Sequence, residues 1–136
     1  MSLFREFSLI ALLTIVGGCY SLISGLSPQP WAQPVLAPGE IAIDDAKSLE
    51  AIWIDARNME AYEIDHAPNA ICLNEANWDD GLARLMERWL TTPRPIIIYC
   101  SDAGCGTSKR IAEQLRRDLP DAEIYTLKGG WAVWSR

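Results

Sequence analysis

The sequence lacks the residues needed for a structural zinc site. His66 is the only histidine in 136 residues, and the four cysteines include no C-x-x-C pair. Four cysteines are also too few for a fold that depends on many disulfides, so at most one or two bridges are possible. The cysteines are Cys19, Cys72, Cys100 and Cys105. We expect no bound metal.

Positive charge is also scarce. The chain has 12 Lys and Arg against 18 Asp and Glu, which gives a formal net charge of −6. An acidic domain is a poor partner for nucleic acid. The basic pairs, Lys109 with Arg110 and Arg116 with Arg117, fall at helical spacing, which indicates a solvated helix face. We expect no nucleic-acid partner.

Charge of either sign is absent from Phe7 to Leu26. This apolar run has about the length that a helix needs to cross a hydrocarbon core of ~30 Å. We therefore predict that residues 1–26 form an N-terminal transmembrane helix or uncleaved signal anchor. Because Arg5 precedes the run and no charge follows it until Glu40, the positive-inside bias places the remaining chain in the periplasm or outside the cell.

Two other interpretations of this segment remain open. It is a signal peptide that is cleaved, or a lipoprotein signal in which Cys19 receives the lipid. Apolar residues continue past Cys19, which favours the uncleaved anchor. The proline-rich residues 27–39 predict an extended linker. Residues 40–136 then form one domain.

Strands and helices are predicted to alternate in this domain. Short apolar runs predict strands, apolar residues at helical spacing predict helices, and prolines end them. The predicted strands end at Asp55, Tyr99 and Leu127, and the predicted helices run from Trp78 until Pro93, from about Thr107 until Pro120, and through Trp134. This alternation predicts an α/β fold with a mainly parallel sheet and helices on both faces.

The turn between the strand ending at Tyr99 and the helix near Thr107 is the predicted place for chemistry, because ligands of such folds bind beyond the carboxyl ends of the strands. It begins with the thiol of Cys100 and leads into a helix whose free amides lower a thiol pKa. Cys100 is therefore a candidate nucleophile, and the alternative is a buried structural cysteine. The remaining residues of the turn are Ser101, Asp102, Ala103, Gly104, Cys105, Gly106, Thr107 and Ser108.

Four motifs occur in order along the domain. The first is IDAR at residues 54–57, which is similar to the pattern D-x-R, and the third is Tyr99-Cys100. The second consists of Tyr62, His66, Pro68 and Ala70, which fall at the offsets of the pattern E-[FY]-x-x-G-H-I-P-G-A. The fourth is LKGGWAVW at residues 127–134, which is similar to L-x-G-G-x-x-x-W. Together these motifs resemble those of the rhodanese family over nearly all of residues 40–136. The resemblance implies the family's three-layer fold.

The resemblance also implies a sulfurtransferase cycle. Cys100 takes a sulfane sulfur from a small donor and holds it as a persulfide, and a thiol acceptor then removes it. Asp55, Arg57 and His66 are implied to support the active loop rather than to transfer protons. No metal and no organic cofactor is implied.

The chain departs from the family's pattern in the segment that precedes Cys72. Asp65 and Asn69 stand where the signature has glycines, and both residue types tolerate a left-handed backbone. Ala61 replaces the signature's acidic residue, so Glu60 or Glu63 is expected to pair with Arg57. Cys72 itself, in an apolar run, is expected to be a buried strand residue.

The active loop departs further. It is about two residues longer than the family's common C-R-x-G-x-R loop, it has neither arginine, and it carries Asp102. An anionic donor such as thiosulfate would meet a carboxylate there, so we expect it to be used poorly. Lys109 and Arg110 are candidates to compensate, although the sequence does not place them over the pocket.

Cys105 is either a packing residue or a redox partner of Cys100, because both thiols lie in one glycine-containing loop. Three functions therefore remain open. The first is a membrane-tethered sulfurtransferase acting on a sulfur carrier or small thiol. The second is a non-catalytic rhodanese-type module that binds a membrane partner. The third is a dithiol redox protein that uses Cys100 and Cys105.

Overall fold

The computed structural model describes residues 2–23, 35–101 and 106–135. The chain divides into two compact units, Met1–Val35 and Leu36–Arg136. The first unit contains helix α1, Ser2–Ile23, whose side chains from residue 6 to residue 20 are exposed. The second unit holds all the strands of the described residues.

Helix α1 lies where the sequence predicts a helix, but the predicted membrane crossing is not supported. The helix begins at Ser2 and takes in the charged residues Arg5 and Glu6. Residues 24–34 fall outside the described residues, and with them the end of the apolar run and most of the predicted linker. No helix in the described part of the chain is long and apolar enough to span a bilayer.

A five-stranded sheet forms the centre of the second unit. All neighbouring strands are parallel and the strand order is β1-β5-β4-β2-β3. The strands are β1 (Glu40–Ile41), β2 (Ile52–Asp55), β3 (Ile71–Cys72), β4 (Ile96–Tyr99) and β5 (Ile124–Leu127). The predicted strands that end at Asp55, Tyr99 and Leu127 are confirmed, and Cys72 is buried in a strand as expected.

Helices connect the strands. They are α2 (Ile43–Ser48), α3 (Met59–Ile64), α4 (Trp78–Thr91), α5 (Gly106–Asp118) and α6 (Trp131–Trp134), and a 3₁₀ turn over Glu75–Asn77 precedes α4. The three predicted helices correspond to α4, α5 and α6. Asp79 and Asp80 lie in the first turn of α4, where negative charge stabilises the helix dipole.

The core has one cluster of buried side chains on each face of the sheet. Strand β4 shows the division, since Ile96 and Ile98 belong to one cluster and Ile97 and Tyr99 to the other. Buried residues of α4 and α5 complete the first cluster. Residues of α2, α3 and α6 contribute to the second. Helices therefore cover both faces of a parallel sheet, as the α/β prediction requires.

Candidate functional site

Cys100 follows the last residue of β4 and lies at the carboxyl edge of the sheet. The residue is 2 % exposed, and its Sγ lies 3.5 Å from Oγ of Ser108. Ser108 is buried in the first turn of α5, which begins at Gly106, one residue before the predicted start. Amides at a helix N-terminus favour a thiolate, so the position suits a nucleophile.

Asp102, Ala103, Gly104 and Cys105 lie outside the described residues, so their predicted roles stay predictions. Ser101 is exposed at the start of the loop, and Gly106 and Thr107 open α5 at its end.

The described cysteines differ in state. Cys100 is disulfide-bonded in the structure, and Cys19 and Cys72 are free. Cys19 is exposed on α1, whereas Cys72 is 1 % exposed in β3. Burial raises the pKa of the Cys72 thiol, so it is a weak nucleophile at neutral pH.

The segment after β5 holds the backbone at Cys100. The backbone N–H of Trp131 donates to the carbonyl of Cys100 at 2.7 Å, and that of Ala132 donates to the carbonyl of Ser101 at 3.2 Å. Gly129 turns the chain into α6 with φ +83°, and a Cβ there would lie 2.5 Å from Cγ1 of Val133. The second unit therefore needs a glycine at this turn to bring α6 against the base of the active loop.

A buried polar network lies beside the loop. Nε and Nη2 of Arg57 donate to the carboxylate of Asp55 at 2.7–3.1 Å, and the Tyr99 hydroxyl donates to the same carboxylate at 2.8 Å. The Tyr99 hydroxyl also accepts the N–H of Ala67 at 3.1 Å. The Arg57 guanidinium lies 4.5 Å from the ring centroid of Trp131, a cation–π contact. The network thus links β2, β4 and α6.

Ionisation in this network follows from its packing. Burial alone lowers the pKa of Arg57, but the hydrogen bonds and charge of Asp55 raise it above its ordinary value. Burial raises the pKa of Tyr99, which stays a neutral hydroxyl donor. Among the described residues Arg57 pairs with Asp55 rather than with the expected Glu60 or Glu63. The network contacts α6 through the Trp131 ring, and the Trp131 backbone N–H donates to the carbonyl of Cys100.

His66 also has structural contacts. Its Nδ1 lies 2.8 Å from the carbonyl of Tyr62, and its ring stacks on the Tyr62 ring at 3.9 Å. Asn69 adopts φ +60°, so the left-handed backbone expected where the family has glycine is present there. Asp65 has φ −166°, which is extended backbone, and the same expectation is wrong at that position.

Two cavities flank the sheet at opposite edges. The larger, about 740 Å³, is lined by residues that precede β2 and β4, such as Ala51 and Arg94, and so opens at the amino edge. The smaller, about 430 Å³, is lined by Asn58, Asn74 and Thr107, which follow β2, β3 and the active loop. Since Cys100 lies at the carboxyl edge, the smaller cavity is the candidate substrate site.

The sequence did not single out some residues of this site. Tyr99 and Trp131 were identified only within motifs, although the alternation of β4 places Tyr99 on the face opposite Cys100. No feature of the sequence around Glu75 marks it as a site residue.

No group of three or more His, Cys, Asp or Glu side chains that could hold a metal occurs among residues 2–23, 35–101 and 106–135.

Known proteins are similar to this chain. The chain is 25% identical over 88 residues to a thiosulfate sulfurtransferase, GlpE, of Coxiella burnetii, covering 65% of this chain and 75% of that protein. The crystal structure of the BH2092 protein from Bacillus halodurans is similar with a TM-score of 0.56 and 26% identity, covering 71% of this chain and 70% of that one.

A second solved structure shares the fold alone. It is the N-terminal domain of a putative ATP/GTP binding protein from Clostridium difficile, with a TM-score of 0.51 and 21% identity, over 71% of this chain and 95% of that one. The model of the rhodanese-like domain matches residues 41–136, which include every strand but the first residue of β1 and the whole of the site around Cys100. With its sheet, its buried Asp55–Arg57 pair and its cysteine at the end of β4, the chain belongs to the rhodanese-like domain family.

Proposed function

We propose that this protein is a sulfurtransferase that carries sulfane sulfur as a persulfide on Cys100. The contact between Cys100 Sγ and Ser108 Oγ, in the first turn of a 13-residue helix, carries the proposal. A hydroxyl donor and a helix N-terminus both stabilise a sulfur anion without rearrangement. Membership of the rhodanese-like family and the activity named for the Coxiella burnetii relative support the same reaction.

The reaction has two displacements at sulfur. The Cys100 thiolate attacks the sulfane sulfur of the donor, the donor's own bond to that sulfur breaks, and the rest of the donor leaves with the electron pair, as sulfite when the donor is thiosulfate. The acceptor thiolate then attacks the outer sulfur of the persulfide. Cys100 leaves as a thiolate, so a cycle that starts from reduced Cys100 consumes no further oxidant or reductant.

Mass spectrometry of the reduced full chain tests this proposal. Exposure to polysulfide or thiosulfate should add the mass of one sulfur atom to the peptide that contains Cys100. Cys100→Ser should abolish the gain, whereas Cys72→Ser should leave it intact because Cys72 is buried in β3. A gain that survives Cys100→Ser would refute the assignment, and no gain from any donor would favour the non-catalytic binding module.

A dithiol redox protein is the second candidate function, because Cys100 is disulfide-bonded in the structure. We propose Cys105, which lies outside the described residues, as its partner, because both thiols belong to one glycine-containing loop. Alkylation and peptide mapping across a series of redox potentials should show Cys100 and Cys105 protected together. If both are alkylated at every potential, this candidate is excluded.

A further inference from the structure

We infer that Arg110 binds the anionic group of the substrate in the cavity of about 430 Å³ at the carboxyl edge of the sheet. When the substrate is absent, the carboxylate of Glu75 pairs with Arg110 instead. The inference rests on the proposed sulfurtransferase function and deepens it by assigning the substrate's charge. Arg110 would take the place of the loop arginines that this chain lacks.

The first turn of α5 contains both a residue of the cavity wall and the residue that contacts Cys100. Ser108, which contacts Cys100, follows Thr107, and Thr107 lines the cavity. Nη2 of Arg110 lies 3.5 Å from Oγ1 of Thr107, one turn earlier on the same helix. The guanidinium is therefore held on the side of α5 that faces the cavity, and a volume of about 430 Å³ accommodates a small molecule.

The amide side chains in the cavity wall are committed to the backbone. Asn58 accepts the N–H of Ala61, and Asn74 accepts the N–H groups of Ala76 and Asn77. Asn74 also donates to the carbonyl of Arg57 at 2.8 Å. These hydrogen bonds fix the shape of the cavity wall. A substrate would therefore be bound by other side chains of the wall, whose present contacts it can replace.

Arg110 and Glu75 can exchange partners. Nη2 and Nε of Arg110 contact Oε1 of Glu75 at 2.9 Å and 3.1 Å, and the side chains are 62% and 70% exposed. Ion pairs this exposed are weak, so a substrate oxyanion can displace the carboxylate. The guanidinium then presents its planar fork to that oxyanion.

The neighbouring cation on α5 points elsewhere. Nζ of Lys109 pairs with Oε1 of Glu40 in β1 at 3.3 Å and does not line the cavity. Of the residues described as lining the cavity, Arg110 is the one with a positive charge. Lys109 therefore provides a control of equal charge, one residue away on the same helix.

Two kinds of substrate carry an oxyanion close to the reacting sulfur. One is the donor thiosulfate, through its sulfonate end, and the other is an acceptor thiol that has a carboxylate. Steady-state sulfur transfer by the full chain separates the two, with thiosulfate as donor and either 3-mercaptopropionate or uncharged 2-mercaptoethanol as acceptor.

Arg110→Gln should raise KM roughly tenfold or more for the anionic substrate that it binds, because a charge-assisted hydrogen bond is lost. Glu75→Gln should lower the same KM by roughly two- to fivefold, because the competing carboxylate is removed. Lys109→Gln should change no KM by more than about twofold. An effect of Arg110→Gln on thiosulfate assigns the donor, and an effect on 3-mercaptopropionate but not on 2-mercaptoethanol assigns the acceptor.

Calorimetric titration of the Cys100→Ser chain with thiosulfate and with 3-mercaptopropionate separates this inference from the proposed function, because binding needs no turnover. The inference is supported when one of the compounds binds to the Cys100→Ser chain, does not bind to the Cys100→Ser, Arg110→Gln double variant, and still binds to the Cys100→Ser, Lys109→Gln double variant. This result supports the inference even if no persulfide forms. If wild type transfers sulfur but Arg110→Gln leaves every KM and both titrations unchanged, the inference is wrong and the sulfurtransferase proposal stands.

Discussion

The two faces of the sheet are held together differently. On the face of α4 and α5 the buried core is aliphatic apart from Cys100, and it interlocks through shape alone. On the opposite face Trp53, Tyr99, Trp131 and Trp134 form a chain of ring contacts, and Tyr99 and Trp131 also contact the buried pair of Asp55 and Arg57. The proposed nucleophile, Cys100, therefore lies on the aliphatic side, and Tyr99, which contacts the ion pair, lies on the aromatic side one residue earlier.

The largest expected effect breaks the aromatic face at Asp55. Asp55→Ala leaves the guanidinium of Arg57, whose side chain is 8% exposed, without its ion partner and removes the acceptor of the Tyr99 hydroxyl. We expect a loss of about 3–5 kcal/mol in the free energy of unfolding. Urea unfolding of the full chain measures it. Asp44→Ala, at an exposed position of α2, should change stability by less than about 0.5 kcal/mol.

A smaller effect, of different origin, is expected on the aliphatic face. Leu85 of α4 is fully buried, so Leu85→Ala should cost about 2–4 kcal/mol through lost packing and the cavity that remains. Leu90, on the same helix, is 66% exposed, and Leu90→Ala should cost much less. If Leu85→Ala proves more damaging than Asp55→Ala, the aliphatic face is the dominant support of the fold.

The smallest of these effects concerns Glu40, which reaches across the edge of the sheet. The backbone N–H of Ala37 and the ammonium of Lys128 lower the pKa of Glu40 to about 2, with a smaller contribution from Lys109. Because the folded pKa lies below the unfolded value of 4.5, this stabilisation is complete above pH 4.5 and is lost as the pH falls toward 2.

Glu40→Gln should therefore cost about 2 kcal/mol at pH 6 and almost nothing at pH 2. Unfolding of both chains across this range measures the difference between them, which cancels the titration of other carboxylates. An equal cost of Glu40→Gln at pH 6 and pH 2 would show that the glutamate acts by shape and not by charge.

The sequence predicts the long elements of this fold, and of the short ones it misses β1, α2 and α3. Strands β2, β4 and β5 each have enough consecutive apolar residues to be recognised, and α4 and α5 have enough turns to show a periodic face. Strand β1 has 2 residues, and α2 and α3 have 6 each, which is too short for either period to show.

The residues of the candidate site also differ in whether the sequence predicts them. Cys100 and Ser108 could be predicted because strand, turn and helix follow one another along the chain. The pairing of Arg110 with Glu75 could not, because 35 residues separate them and the contact exists only once α5 and the 3₁₀ turn meet at the cavity. The partner of Arg57 was predicted wrongly for a related reason. Asp55 is buried at the end of a central strand, and its burial depends on β3 and β4 lying on either side.

The hydrogen bonds from Trp131 and Ala132 to the base of the active loop have a consequence for synthesis of the protein. When Cys100 is joined to the growing chain, the residues that will fix its carbonyl and that of Ser101 have not yet been translated. Strand β5 and α6 must emerge before β1 has a partner and before the loop is anchored. Until then the emerged part of the chain has an unpaired sheet edge at β1. The active loop is therefore anchored only when the last elements of the domain have left the ribosome, and a chain truncated before Trp131 lacks both of these hydrogen-bond donors.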